Sequence, residues 1–254
     1  MLAKERRDSI HNMVDKLGAI TTADLAMRLS VSIETIRRDV IALEQKGLLQ
    51  RVHGGIVKKD EVTQFEQLQQ RNMRYFAQKK ELAHTAMQFI SEGDTLWVDN
   101  GSTAIAVAEA IREKFSRLTI VTCSTDVLDA LKNHSGIRII LCGGYYINGE
   151  SMLSGSLALN MLSYICIPKA FIFPSALSLK YGICSNLNEE HLIQSYIVQR
   201  AQEIFVLADS SKFERQAMLK ICDLHQSYHY ITDSSISIEL KRLYSENGVN
   251  LITE

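Results

Sequence analysis

Apolar positions in the first quarter of the chain repeat at helical spacing. Over residues 4–17, Ile10, Met13, Val14 and Leu17 fall on one face, and Gly18 is suited to close that helix with a positive φ. Thr21 or Thr22 caps a second helix, TADLAMRL, whose apolar side is Leu25, Ala26 and Leu29. Ser30-Val31-Ser32 forms the turn. Ser32 caps a third helix, with Glu34 in its positive first turn. There Ile33, Ile36, Val40 and Leu43 make one inward stripe, Thr35, Arg37, Arg38 and Gln45 are left outside, and Gly47 ends the helix. LLQRVHGGIVKK then reads as two short strands around Gly54-Gly55. The pattern predicts a winged helix-turn-helix over residues 1–58.

Residues 59–92 lack Pro and Gly and carry Phe65, Leu68, Met73, Phe76, Leu82, Met87 and Phe89, which predicts a linker that becomes one long helix ended by Gly93. Over residues 93–254 the period switches. The strand-like runs TLWVD, LTIVTCS, IRIILCGG, KAFIFPSA, EIFVLAD, HYITD and VNLIT are separated mostly by helical stretches and loops. Such alternation predicts an α/β domain built on a mostly parallel sheet covered on both faces.

Composition narrows the class. With 254 residues and 46% apolar side chains the chain can fill a sizeable core, and no apolar run reaches the roughly 18 residues of a membrane span. The start, MLAKERRDSI, is too charged for a secretory signal. Five scattered cysteines without a C-x-x-C suit reduced thiols, so a cytoplasmic protein without a membrane association is expected. Cys222, His225 and His229 lack a fourth ligand at suitable spacing, so neither a metal nor a cofactor is expected. The net charge of -1 hides an asymmetry: residues 1–60 carry eleven Lys/Arg against eight Asp/Glu, and the remainder 17 against 21. A basic head on an acidic body is compatible with a polyanion bound at the head.

A helix fits the major groove of B-DNA. Ser32, Thr35 and Arg38 stand where base edges can be reached, and Arg37, Arg51, His53, Lys58 and Lys59 where phosphates can. A charged helix face is more often merely solvated. Here it follows a three-residue turn, a cap and an inward stripe, and a basic hairpin follows it. In the body, ligands of such sheets sit beyond the carboxyl ends of the strands. Three polar, small-residue loops fall there: Asp99-Asn100-Gly101-Ser102-Thr103, Cys142-Gly143-Gly144, and Asp209-Ser210-Ser211-Lys212-Phe213. Helix-start amides, hydroxyls and Lys212 suit a phosphate.

These motifs resemble a known family. V-S-x-x-T-I-R-R-D, L-E-x-x-G and R-x-H-G-G stand at Val31 to Asp39, Leu43 to Gly47 and Arg51 to Gly55. They resemble the head of the deoxyribose-operon repressor (DeoR) family. D-x-G-S-T, G-G and D-S-S-K-F, at Asp99, Gly143 and Asp209 onward, resemble its sensor domain, which is similar in fold to ribose-5-phosphate isomerase. The resemblance implies a non-enzymatic repressor of a sugar-catabolic operon, a homo-oligomer (dimer or tetramer) on a double-stranded DNA operator, controlled by a phosphorylated sugar. DNA contacts are expected from Thr22, Ser32, Thr35, Arg37, Arg38, Arg51, His53 and Gly54. Effector contacts are expected from Asp99, Gly101, Ser102, Thr103, Ser124, Gly143, Gly144, Ser175, Asp209, Ser211 and Lys212, with no catalytic residue.

The chain also departs from the pattern. Where the family reads F-I-G-A-S-G-I, Phe171-Ile172-Phe173-Pro174-Ser175-Ala176-Leu177 stands; a helix lysine is Gln194 or Ser195, and the Asn of T-N-S is Cys123. Less room and one cation fewer point to a different sugar phosphate, weak binding or none. Two alternatives therefore stand beside the regulator: a constitutive DNA binder with a degenerate sensor, and a sugar-phosphate isomerase with an appended head. The isomerase would draw on Asp99, Asp209 and Lys212, and on Glu189 and Glu190 only if the preceding loop folds over the pocket.

Overall fold

The computed structural model describes residues 3–17, 19–45, 48–52, 55–58 and 68–254. Gly18, Lys46, Gly47, His53, Gly54, Lys59 and the linker to residue 67, Phe65 included, lie outside the described residues, as do the side chains of Leu17, Gln45, Arg51, Lys58 and Met73. The chain divides into two compact units, Met1–Gln64 and Phe65–Glu254.

In the first unit, α1 (Ala3–Leu17), β1 (Ala19–Thr21), α2 (Thr22–Leu29) and α3 (Ile33–Gln45) precede the hairpin β2 (Leu49–Val52) and β3 (Gly55–Lys58). β3 pairs antiparallel with both β2 and β1, giving the order β1-β3-β2. This is the winged helix-turn-helix. Its core gathers Ile10, Val14, Leu25, Ile36, Val40, Leu43, Leu49 and Ile56, as periodicity requires. One stripe residue departs from it: Ile33, the first residue of α3, is 44% exposed. At a helix start no preceding turn carries the side chain inward. The helix α2 begins at Thr22 itself, so Thr22 occupies a helical position. Ser30 has φ 52°, with Ser30 N–H bonded to Met27 O and Val31 N–H to Ala26 O. That left-handed closure ends α2 within three residues of α3.

Asp39 ties this unit together. It is 2% exposed and accepts from Arg6 Nε at 2.5 Å and Arg7 Nε at 2.8 Å. Both arginines lie on α1, so the last residue of the Arg-Arg-Asp run faces inward while its two arginines face out.

The second unit opens with α4 (Leu68–Met73) and α5 (Phe76–Ala86). The expected single long helix is broken at Tyr75, which is left-handed (φ 54°). A 3-10 turn (Met87–Phe89) then leads to β4 (Thr95–Val98). The strands β4, β5 (Leu118–Thr122), β6 (Ile137–Leu141), β9 (Lys169–Ile172), β12 (Glu203–Leu207), β14 (His229–Ile231) and β15 (Leu251–Ile252) form a seven-stranded sheet ordered β15-β14-β12-β9-β4-β5-β6. Every pairing in it is parallel. These are the seven runs read from the sequence.

Alternate strand residues face opposite sides. Leu96, Val98, Phe171, Phe205 and Leu207 pack with α5, α6 (Ser102–Lys114) and α7 (Thr125–Leu131). Trp97, Ala170, Ile172, Ile204 and Val206 pack with α8 (Ser156–Leu162), α9 (Asn188–Val198) and α10 (Ile238–Glu246). The loops expected after IRIILCGG, after KAFIFPSA and after EIFVLAD hold antiparallel strands instead. These are the hairpin β7 (Tyr145–Ile147) with β8 (Met152–Ser154), and a small sheet of β10 (Ala176–Ser178), β11 (Gly182–Ser185) and β13 (Leu219–Cys222). No described helix is long and apolar enough to cross a membrane.

Replacing Asp39 with alanine removes both charge-assisted bonds and should destabilise the first unit by about 2 kcal/mol. Amide exchange should then show earlier loss of protection in α1 and α3, with the seven-stranded sheet unaffected. Unchanged protection in α1 would refute the tie.

Candidate functional site

On α3, Ser32 Oγ accepts from Thr35 N–H at 3.2 Å and lies 2.8 Å from Thr35 Oγ1, which sets the helix start. The Arg37 and Arg38 side chains are 65% and 79% exposed. They approach Glu34 only loosely, at 3.7 and 3.9 Å. Exposed pairs of this kind contribute little, so both guanidiniums can exchange Glu34 for another anion at small cost. Arg51 lies on the wing strand β2 and Thr22 at the start of α2. His53 and Gly54 are outside the described residues.

In the second unit the order of strands reverses between β4 and β9. Consecutive strands run outward from β4 to β6 on one side and from β9 to β15 on the other. A crevice opens at such a switch point beyond the carboxyl ends. A narrow cavity of ≈ 30 Å³ lies there, between the ends of β4, β9 and β12. Of the residues expected at an effector site, Gly101, Ser102, Thr103, Ser175, Asp209 and Lys212 line it. Gly101 caps α6 with φ 126°, and a Cβ there would meet open space. This is a left-handed backbone that only glycine adopts freely, beside amides free of helical partners.

The other expected residues stand elsewhere. Ser124 is buried as the cap of α7, its Oγ accepting from Val127 N–H at 3.3 Å. Gly143 and Gly144 do not line the cavity. At Gly144 (φ 150°) a Cβ would come within 2.2 Å of Ser154 O, so a close backbone crossing accounts for the glycine. Ser211 binds back onto Asp209 through N–H at 3.1 Å and through its hydroxyl. Asp99 lies just behind the wall, fully desolvated, and accepts from Gln194 Nε2 at 2.6 Å. Burial raises its carboxyl from 3.8 to about 7.

Three groups, Arg71, Glu150 and Lys79, were not singled out from the sequence. Arg71 of α4 lines the cavity and pairs with buried Glu150 of the hairpin loop. Burial pushes Glu150 up to about 7, against the pull of Arg71. Lys79 of α5 is buried and donates to Arg71 O and Arg74 O at 2.5 and 2.6 Å, capping the carbonyl end of α4. Desolvation lowers its ammonium to about 8. Asn100 also lines the cavity. So does Glu190 of α9, although no residue of the loop before it lines the cavity; its carboxylate accepts from Ser185 Oγ at 2.8 Å, and burial raises its pKa. The substituted Phe173 and Pro174 narrow the same wall.

Cationic groups and helix-start amides thus meet buried carboxylates around one cavity, in a unit whose companion is a winged helix-turn-helix. Such an assembly defines a ligand-responsive DNA-binding protein. Residues 6–62 match the family model described as the DeoR-like helix-turn-helix domain, and residues 75–234 match the DeoR C-terminal sensor domain. This chain belongs to the DeoR family of transcriptional regulators. The lactose phosphotransferase system repressor of Staphylococcus aureus (strain N315) is 30% identical over 90% of this chain and 91% of its own. The HTH-type transcriptional regulator GolR of Listeria innocua is 28% identical over 98% of each. Among solved structures, ribose 5-phosphate isomerase A from Neisseria gonorrhoeae matches at TM-score 0.40 and 15% identity, over 54% of this chain and 53% of that one.

Asp99 holds its proton more tightly in the folded protein than in the unfolded chain. The stability that this group contributes is therefore complete below about pH 4 and is lost as pH rises to about 7, and Glu150 acts in the same direction. Asp99→Asn should raise the thermal midpoint at pH 8 and flatten the fall between pH 4 and 7. An unaltered pH profile would show that Asp99 ionises normally.

Proposed function

We propose that this DNA-binding regulator represses genes of sugar catabolism, releasing its operator when a phosphorylated sugar enters the cavity at the β4/β9 switch point. The operator is double-stranded DNA. The recognition helix is α3, with Ser32, Thr35 and Arg38 toward base edges and Arg37, Arg51 and His53 toward phosphates. A single recognition helix reads few base pairs, so the working form is a cytoplasmic homo-oligomer, dimer or tetramer, on repeated half-sites.

One observation carries the effector reading: Arg71, Lys212 and the amide end of α6 meet at a single cavity where strand order reverses. The names of the relatives support repression of sugar genes, since one is a lactose phosphotransferase system repressor. At ≈ 30 Å³ the cavity is far below the roughly 300 Å³ of an ordinary ligand site. A sugar phosphate must therefore favour a wider conformation, and unequal affinity for two conformations is the requirement for coupling to DNA.

Arg38→Ala should weaken operator binding by about 2 kcal/mol and relax sequence preference. Gel-shift titration against the operator and a scrambled duplex measures both; unchanged affinity and preference would remove Arg38 from base readout. Lys212→Ala should keep operator affinity while losing the response to sugar phosphates. An operator complex that dissociates as before on adding them would remove Lys212 from the sensor. A turnover assay with pentose phosphates separates sensor from isomerase, since product formation would overturn the regulator reading.

A further inference from the structure

Resting on the sugar-phosphate reading, we infer that α4 is the moving wall of the sensor: the phosphate draws Arg71 away from Glu150, and α4 leaves the hairpin turn on which it is docked. Arg71 belongs both to the cavity and to α4. That helix has six residues, Leu68–Met73, and is the first described element after the linker from the head. It docks on the turn of the β7–β8 hairpin. Leu68 is buried and its N–H donates to Gly149 O at 3.3 Å, while Arg71 Nη2 pairs with Glu150 Oε2. At the other end the chain turns at Tyr75, left-handed at φ 54°, so α4 and α5 are separate pieces. A short helix set between a linker and a left-handed residue can shift as a unit while the sheet stays in place.

Two observations single out the Arg71–Glu150 pair as the contact that yields. The first is its chemistry. Glu150 is 2% exposed, yet its Oε1 is buried without a hydrogen-bond partner. Burial holds its carboxyl at about 7 in spite of Arg71, so it can take a proton once the guanidinium leaves. A phosphate offers several strong acceptor oxygens to the planar fork of arginine, a better match than one carboxylate oxygen. The second is space. At ≈ 30 Å³ the cavity admits no sugar phosphate until a wall moves. Asn100, Phe173 and Asp209 continue strands of the sheet, and Glu190 is held by Ser185. On another face of α4, Leu68 and Asn72 border a groove of ≈ 690 Å³ shared with α6, α7 and the hairpin turn. There α4 has room to turn. Its withdrawal would open the cavity and, in the same motion, displace the residue joined to the linker. The effector and the operator then favour opposite positions of one element, which is the requirement for coupling.

The test uses the full chain and three readouts: operator affinity by gel shift, calorimetric binding of ribose 5-phosphate, glucose 6-phosphate and fructose 1-phosphate, and amide exchange over residues 68–74. Glu150→Gln keeps the size of the side chain and removes the charge that holds Arg71. Without effector it should weaken operator binding by about fivefold or more, and it should tighten the sugar phosphate that binds the unmodified chain by a matching factor, because coupling is reciprocal. Exchange over 68–74 should quicken, with β4, β9 and β12 unchanged. A merely structural role for the pair would weaken both ligands or neither. Leu68→Ala loosens the same docking without touching a group that lines the narrow cavity. It should shift both affinities in the same opposite senses, which keeps the inference testable if Glu150→Gln does not fold. Adding the sugar phosphate to the unmodified chain should likewise quicken exchange over 68–74. If a sugar phosphate binds but leaves that exchange unaltered, or if the variants do not move the two affinities in opposite directions, the moving wall falls and the sensor reading stands. If no phosphorylated sugar binds, both fall.

Discussion

The reversal of strand order between β4 and β9 is the constraint on which the second unit is organised. Seven parallel strands must hydrogen-bond side by side, and each crossover must return over one face. Chains that wind outward in both directions from a central pair leave no crossover helix above the gap between them. The ends of β4 and β9 are therefore open. What stands at the opening is set by the strands' own continuations: Asp99 to Thr103 after β4, Phe173 to Ser175 after β9, Ala208 and Asp209 after β12. Chemistry gathers there because topology leaves the room.

Burial then decides the character of that opening. A carboxylate taken out of water must find a cation, a donor or a proton. Arg71 answers for Glu150, Ser185 for Glu190, and the Gln194 amide with the Asn100 and Phe173 backbone, neutral donors all, for Asp99. The raised carboxyls and the lowered Lys79 are consequences of the same desolvation acting on opposite charges. The substitutions at Phe173 and Pro174 bear on the size of the opening and leave its electrostatics to Glu190, Asp209 and Lys212.

Much of this was legible in the sequence, and the failures have identifiable causes. The seven parallel strands were readable because both faces are covered, so each is a short unbroken apolar run bounded by polar residues. Gly101 to Thr103, Asp209 and Lys212 were readable as cavity lining because they follow strand ends at the switch point. Arg71 and Lys79 were not, since on a helix surface a cation looks like any solvated residue; only the fold turns those faces inward. The antiparallel strands at 145–147, 152–154, 176–178 and 182–185 were missed because three- and four-residue pieces are too short to show a period. Gly144 misled for a different reason: a glycine beside a strand end suits a ligand or a backbone crossing equally well, and here Ser154 O occupies the space.

The first unit shows how one sequence motif divides its labour by helical geometry. Arg37, Arg38 and Asp39 are consecutive, about 100° apart around α3, so they cannot all face one partner. Asp39 falls on the side that carries Ile36, Val40 and Leu43, where α1 supplies Arg6 and Arg7 to neutralise it. Its two neighbours are thereby turned outward and kept there, because rotating α3 to bury either arginine would expose the apolar stripe and break both charged bonds. The exposed guanidiniums are loosely held by Glu34, while the helix that carries them is firmly held by Asp39. The reading surface proposed for α3 needs that combination: side chains that can yield their partner to a polyanion, on a helix held by a buried ion pair.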